Sequence, residues 1–332
     1  MSDNDPLSDT HEAATSAPST ELVSTPGELA SLIKKVVAFS ASAASGATVR
    51  AYRADLATFT RWCHQQGLDA LPAEPETVAL YLTSLAQQGR KVTTIERALA
   101  GIGAAHRAAG HPWLTLPALR TLLRGIRREL GKPAHKKRPI GHEDLLRLVG
   151  VLKSDLCGLR DRALILVGWF GALRRSELAA LDVGDVKFTA DGFELTVRRS
   201  KTDPFGQGLT KGVPYASDPR LCPVRALRAW LEASHIETGA LFRAARGGTV
   251  GDVALNDKTI ARVVKRTASV AGLDASELSG HSLRAGFVTT AAKKGKSLDA
   301  IMRQTGHRSE RIARGYIRHA SLFVDNAATG LI

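Results

Sequence analysis

Three cysteines in 332 residues, Cys63, Cys157 and Cys222, are odd in number and far apart. None belongs to a CxxC pair or a Cys/His cluster, so neither a disulfide framework nor a structural zinc site is expected. No apolar run approaches the length that spans a bilayer, and the first residues are acidic where a secretory signal is basic. Also missing are a GxxxxGKS/T phosphate loop and a carboxylate cluster suited to Mg²⁺. No internal repeat is evident. These absences point to a reduced, soluble, cytoplasmic chain with no membrane partner, working with neither metal nor nucleotide.

Lys and Arg are absent from residues 1 to 33, which hold six acids: Asp3, Asp5, Asp9, Glu12, Glu21 and Glu28. Past that stretch all 46 Lys and Arg face the remaining 26 acids, a net +20, against a formal +14 for the whole chain. An excess of that size points to a polyanionic partner, because neutralising phosphates releases their counterions.

The stretch 1–28 is rich in Ser, Thr, Pro and acids, has little to bury, and reads as a disordered acidic tail. Helical periodicity predicts a bundle of four or five helices over 29–131. Apolar residues recur at Val49, Tyr52, Leu56, Phe59 and Trp62 and stop at Gly67. Pro75 and Gly89 bracket another helix, as proline favours helix starts and glycine favours the position past the end. Arg50, Arg53, Arg90, Lys91, Arg124, Arg127 and Arg128 lie along this bundle. A basic Pro/Gly-bounded connector, 132–140, carries Lys136, Lys137 and Arg138. A second domain over 141–318 opens with "HEDLLRLVGVL" and continues into a mostly apolar helix that Asp161 is expected to help start. "FELTVRRSKT" and "GLTKGVPYA" predict a β-hairpin, and helices are expected from there on. The fold class is mainly α, with one small β-sheet in the second domain.

Four separated segments hold side chains suited to one phosphodiester. "GALRRSEL" carries Arg174 and, one helical turn on, Glu177; the hairpin tip carries Lys201, with Lys211 as the alternative lysine. "SGHSLRAGF" places His281 and Arg284 at i, i+3, on one helix face. "TGHRSERIARGYIR" carries His307 and, nine residues later, Tyr316. Guanidinium groups are planar, always charged, and suit the negative charge of a pentacovalent phosphorane. A tyrosine is a covalent nucleophile once its proton has an acceptor, for which His281 is a candidate. The lysine is a candidate to protonate the departing 5′ oxygen, and His307 to donate to a phosphate oxygen. Glu177 is expected to position its neighbours rather than touch an anion.

The order R-xx-E, K, H-xx-R, GH-x9-Y resembles that of the tyrosine recombinases, the phage-integrase family, over roughly residues 30 to 320. His307 stands where some members have tryptophan, and histidine is the commoner choice. The resemblance implies a SAM-like core-binding domain at 29–131 and an α+β catalytic domain of the DNA breaking–rejoining type. The two would clamp duplex DNA, with 132–140 crossing between them. It implies a site-specific recombinase that forms a 3′-phosphotyrosyl intermediate at Tyr316 and a Holliday junction, without metal or ATP. Its partners would be double-stranded DNA with inverted-repeat sites, and three further copies in a homotetramer on DNA. Free of DNA, a monomer or weak oligomer is expected. Arg50, Arg53, Arg90, Lys91, Lys136, Lys137 and Arg138 are the candidate DNA contacts, and the apolar tail 319–332 would dock on a neighbouring protomer. Two alternatives stay open: a type IB topoisomerase-like nicking–closing enzyme, and a catalytically idle DNA-binding regulator on the same scaffold.

Overall fold

The computed structural model describes residues 46–113, 117–131, 137–198, 208–307, 309–311 and 314–315. Contacts divide the chain into two compact units, Met1–Pro133 and Ala134–Ile332. The acidic tail 1–28, Lys136, Lys201, Tyr316 and the tail 319–332 lie outside the described residues.

Four helices are described in the first unit: α1 (Gly46–Gln66), α2 (Pro75–Gln87), α3 (Val92–Ala108) and α4 (Pro117–Leu130). Phe59 and Cys63, one turn apart on α1, are fully buried against Val78, Tyr81 and Leu82 of α2 and Ile95 and Ile102 of α3. Full burial of such apolar side chains stabilises by about 1.5–3 kcal/mol each. Helix α2 starts at Pro75, and Gly89, two residues past its end, turns the chain at φ 68°. His106 of α3 is buried and bonds twice. The Ala73 amide donates to its Nε2 at 2.9 Å, so its Nδ1 carries the hydrogen and donates to the Ile102 carbonyl at 2.9 Å.

The second unit is built around α6 (Leu156–Phe170), which follows α5 (His142–Gly150). Ala163, Leu164, Ile165, Leu166 and Val167 all have no exposure. A helix apolar on all sides has to be enclosed by others. Around it lie α8 (Pro223–Ser234), α9 (Asp257–Val270) and α10 (Gly280–Lys293). Two short α-helices, α7 (Arg175–Ala179) and α11 (Leu298–Thr305), also belong to this unit. A three-stranded antiparallel sheet runs in the order β1 (Val186–Phe188), β2 (Gly192–Val197), β3 (Leu209–Pro214). Leu195 of β2 stands opposite Lys211 of β3.

Two sequence expectations are corrected here. Asp161 does not start α6; Asp155 does, its carboxylate accepting from the Gly158 amide at 2.8 Å. Asp161 sits in the second turn, buried, held by Arg160 at 2.7 and 2.9 Å and by Arg266 from α9. The polar turn ahead of the apolar run is already helical, and Asp161 is the anchor of a buried ion pair. Nor is the chain only helical beyond the first hairpin. A second hairpin pairs β4 (Arg243–Arg246) with β5 (Thr249–Ala254). Its turn is Gly247–Gly248, at φ 57° and 80°, a pair suited to two-residue loops that need positive φ.

Candidate active site

The C-terminal end of α6 organises the site. The last carbonyls of a helix lack intrahelical partners and carry the negative end of its dipole. Here the carbonyl of its last residue and those of the two residues that follow each take a donor from another segment. Gln304 Nε2 donates to the Phe170 carbonyl at 2.8 Å, Lys211 Nζ to Gly171 at 3.0 Å, and Arg284 Nη1 to Ala172 at 2.7 Å. Ala172 holds φ 47°, left-handed and uncommon for a residue with a Cβ. That conformation reverses the chain, so that the Leu173 amide bonds back to Gly168 at 3.0 Å and Arg174 begins the next helix.

Arg174 is the N-cap of α7. Glu177, three residues on, accepts from its backbone amide at 2.9 Å and from its Nη1 at 2.5 Å. The carboxylate is nearly inaccessible at 2% side-chain exposure, whereas Arg174 keeps 18%. One buried acid therefore fixes one arginine by its main chain and its guanidinium together.

His281 and Arg284 enter on the first turns of α10. Ser279 caps that helix, its hydroxyl accepting from the His281 amide at 3.2 Å. Arg284 is 2% exposed, while His281 faces solvent. Protein packed along the His281 ring, with Arg284 and Arg174 beside it, holds its pKa below the usual histidine value. That direction favours the neutral imidazole, the form able to accept a proton. His307 follows Gly306, whose φ of 68° ends α11 in a left-handed cap. Burial and the charges of Arg284 and Arg174, with smaller effects from His281 and Lys211, push its pKa down to about 4. Lys211, 3% exposed, is pushed down to about 8 by burial, against a pull upward from Glu177.

These mutual effects gather Arg174, Glu177, Lys211, His281, Arg284 and His307 in one place. Lys201 and Tyr316 are outside the described residues. Of the candidate DNA contacts, Arg50, Arg53, Arg90 and Lys91 are exposed on the first unit. Lys137 donates to the Ser276 carbonyl at 2.6 Å, and Arg138 grips Asp144 with two bonds of 2.8 and 3.0 Å. Both fasten the end of the connector to the second unit. Among the described residues no group of three or more His, Cys, Asp and Glu side chains could hold a metal ion, and no helix is long and apolar enough to cross a membrane.

Sequence reasoning passed over Gln304, Thr305 and Gly286, and named Lys211 only as an alternative. A signal for Lys211 existed. It shares the inward face of β3 with Val213, and a lysine at an inward strand position asks for a polar partner. Gly286 has a tighter role. A Cβ there would lie 1.9 Å from the Ile140 carbonyl oxygen and 2.9 Å from Trp169 Nε1. Trp169 donates to that same carbonyl at 2.9 Å, and the Ile140 amide donates to Ser282 at 3.0 Å. Gly286→Ala must push α10, with His281 and Arg284, off its seat. We expect it to cost about 3 kcal/mol of stability, the upper range for overpacking, measured by urea unfolding.

Residues 139–322 match a family model described as "Phage integrase family", and 39–110 one described as "Phage integrase, N-terminal SAM-like domain". The chain is 40% identical over 286 residues to an "Integrase/recombinase xerD homolog" of Selenomonas ruminantium, covering 84% of each chain. It is 26% identical over 283 residues to "Recombinase cre" of Escherichia phage P1, covering 79% of this chain and 81% of that one. A solved lambda integrase tetramer bound to a Holliday junction shares the fold at TM-score 0.58 and 19% identity, covering 87% of this chain and 76% of that one. By its match to that family and its likeness to these relatives, this chain belongs to the phage integrase family, the tyrosine recombinases.

Proposed function

We propose that this chain is a site-specific DNA recombinase whose C-terminal unit breaks and rejoins one phosphodiester per strand. The observation that carries the reading is the convergence of two guanidiniums, Arg174 and Arg284, with two histidines at the end of α6, where Glu177, the acid beside them, is bonded to Arg174. Such a site is built for a monoanion that gathers more charge in its transition state.

Tyr316 attacks phosphorus, the P–O5′ bond breaks, and a 3′-phosphotyrosyl ester forms. Neutral His281 takes the phenol proton, and Lys201 protonates the departing 5′ oxygen. A 5′-hydroxyl from a partner strand then attacks the ester, returning the phenol and joining new DNA. Because the ester conserves the energy of the broken bond, rejoining needs no nucleotide. Two such rounds on paired inverted-repeat sites pass through a Holliday junction, with four copies on the DNA. Arg50, Arg53, Arg90, Lys91, Lys136, Lys137 and Arg138 are assigned to the DNA backbone, and 319–332 to a neighbouring copy.

The test is covalent trapping on nicked DNA drawn from the flanks of the gene's own locus, with the adduct mapped by mass spectrometry. An adduct on Tyr316 at paired inverted repeats is the expected result. DNA binding with no adduct would favour the regulator, and relaxation of any supercoiled plasmid would favour a nicking–closing enzyme.

Without DNA, the cluster places like charges together, so a small oxyanion should stabilise the protein. Millimolar orthovanadate or sulfate is expected to raise the melting temperature by about 2–5 °C, and Arg174→Ala to abolish the shift. The histidine adds a pH dependence. His307 has a folded pKa near 4 against 6.5 for a free histidine. The unfolded chain therefore binds more protons in that window, and the stability His307 contributes is present above pH 6.5 and lost as the pH falls towards 4. Melting temperatures across that range check the sign.

A further inference from the structure

Thr305 ends α11 and is 1% exposed. Its hydroxyl oxygen lies 3.0 Å from Nδ1 of His307, 2.7 Å from the Ile301 carbonyl and 3.3 Å from that of Met302. Two features hold this pair in place. Gln304, the preceding residue, bonds the carbonyls of Phe170 at 2.8 Å and Gly212 at 3.1 Å, tying α11 to the end of α6 and to β3. Gly306 then turns back through its left-handed cap, its amide on Met302 at 2.8 Å.

A neutral imidazole has one N–H and one lone pair, and the partner of one nitrogen decides the role of the other. A phosphate oxygen only accepts, so a neutral His307 facing it through Nε2 needs its hydrogen there. Nδ1 must then accept a bond, and the Thr305 hydroxyl is a donor within reach. The competing acceptor, the Ile301 carbonyl, lies within α11, where the helical bond from the amide four residues on already serves it. Turning the hydroxyl from that carbonyl to the ring therefore strands no buried group.

We propose that Thr305 is a positioning residue: its hydroxyl donates to His307 Nδ1 and holds the neutral ring in the Nε2–H tautomer that a phosphate oxygen requires. The consequence for catalysis rests on the recombinase reading, whereas the tautomer does not. Among the described residues, Arg284 and His281 on α10, Arg174 ahead of α7 and Lys211 on β3 are the charged and titratable groups that act on the ring. They disfavour a second proton, so a donating His307 has to be neutral and correctly tautomerised.

Nitrogen-15 NMR of histidine-labelled protein, at neutral pH with millimolar sulfate, reads the tautomer, with His307→Gln assigning the signals. The expected result is Nε2–H in the wild type and in Thr305→Ser, and a shift toward Nδ1–H in Thr305→Val. On a nicked substrate, Thr305→Val should slow single-turnover cleavage about tenfold, the scale of a misaligned contact. DNA affinity should hold, and Thr305→Ser should restore the rate. An Nδ1–H wild type, in which the hydroxyl stays on Ile301, overturns the proposal even if Thr305→Val fails to fold. So does a Thr305→Val protein with unchanged tautomer and rate. If the wild type forms no phosphotyrosyl adduct, the recombinase reading fails instead, and the NMR result still decides the tautomer.

Discussion

Tyr316→Phe is expected to bind its DNA site with unchanged affinity and to form no covalent complex. The substitution removes one oxygen and leaves the aromatic ring, so its effect on folding is small. Its effect on chemistry is total, because the phenol oxygen is the atom proposed to bond phosphorus. The loss should reach about 10⁴-fold or more, the scale seen when an activated nucleophile is deleted. Denaturing gels on a nicked substrate check it: wild type shifts to a protein–DNA adduct and the variant does not. An adduct formed by Tyr316→Phe sinks the assignment, and mass spectrometry of the trapped peptide would show which residue replaced it.

Arg174→Ala is expected to lose on the order of 3 kcal/mol of transition-state stabilisation, or about 10²–10³ in cleavage rate, as for an oxyanion donor. Arg174 tests this better than Arg284 does. Arg284 is 2% exposed and bonds the Ala172 carbonyl, so its removal also disturbs the turn at the end of α6. Arg174 is more accessible, and Glu177 would keep its bond to the backbone amide of residue 174 after the side chain is gone. The single-turnover rate should therefore fall much further than the melting temperature. Arg174→Lys should recover little, because an ammonium lacks the planar fork that meets two oxygens at once. A variant retaining wild-type cleavage would remove Arg174 from the site.

Local patterns carried much of this before any coordinates. The i, i+3 spacing put Glu177 one helical turn from Arg174; the structure adds that Arg174 is an N-cap and that Glu177 also accepts from its backbone amide. Pro75 and Gly89 marked the limits of α2, and β-branched content marked β2. Where local reading failed, a distant partner was deciding. Asp161 looked like a helix start because nothing nearby reveals Arg266, over a hundred residues away, which holds it from α9. Lys211 stood second to Lys201 because its acceptor, the Gly171 carbonyl, is forty residues earlier and invisible to local spacing. The β4–β5 hairpin was within reach through its Gly–Gly turn, but its short flanking strands are weakly patterned and mostly exposed.

The chain by itself determined which reactive side chains exist, their order, and how neighbours three or four residues apart share a helix face, since those spacings follow from backbone geometry alone. Tertiary structure alone decided that the carbonyls of Phe170, Gly171 and Ala172 would each receive a donor from residues 304, 211 and 284. It also decided that His307 would be reluctant to take a proton. Both outcomes depend on burial and on charges brought close by packing, quantities set by neighbours in space and invisible to spacing along the chain.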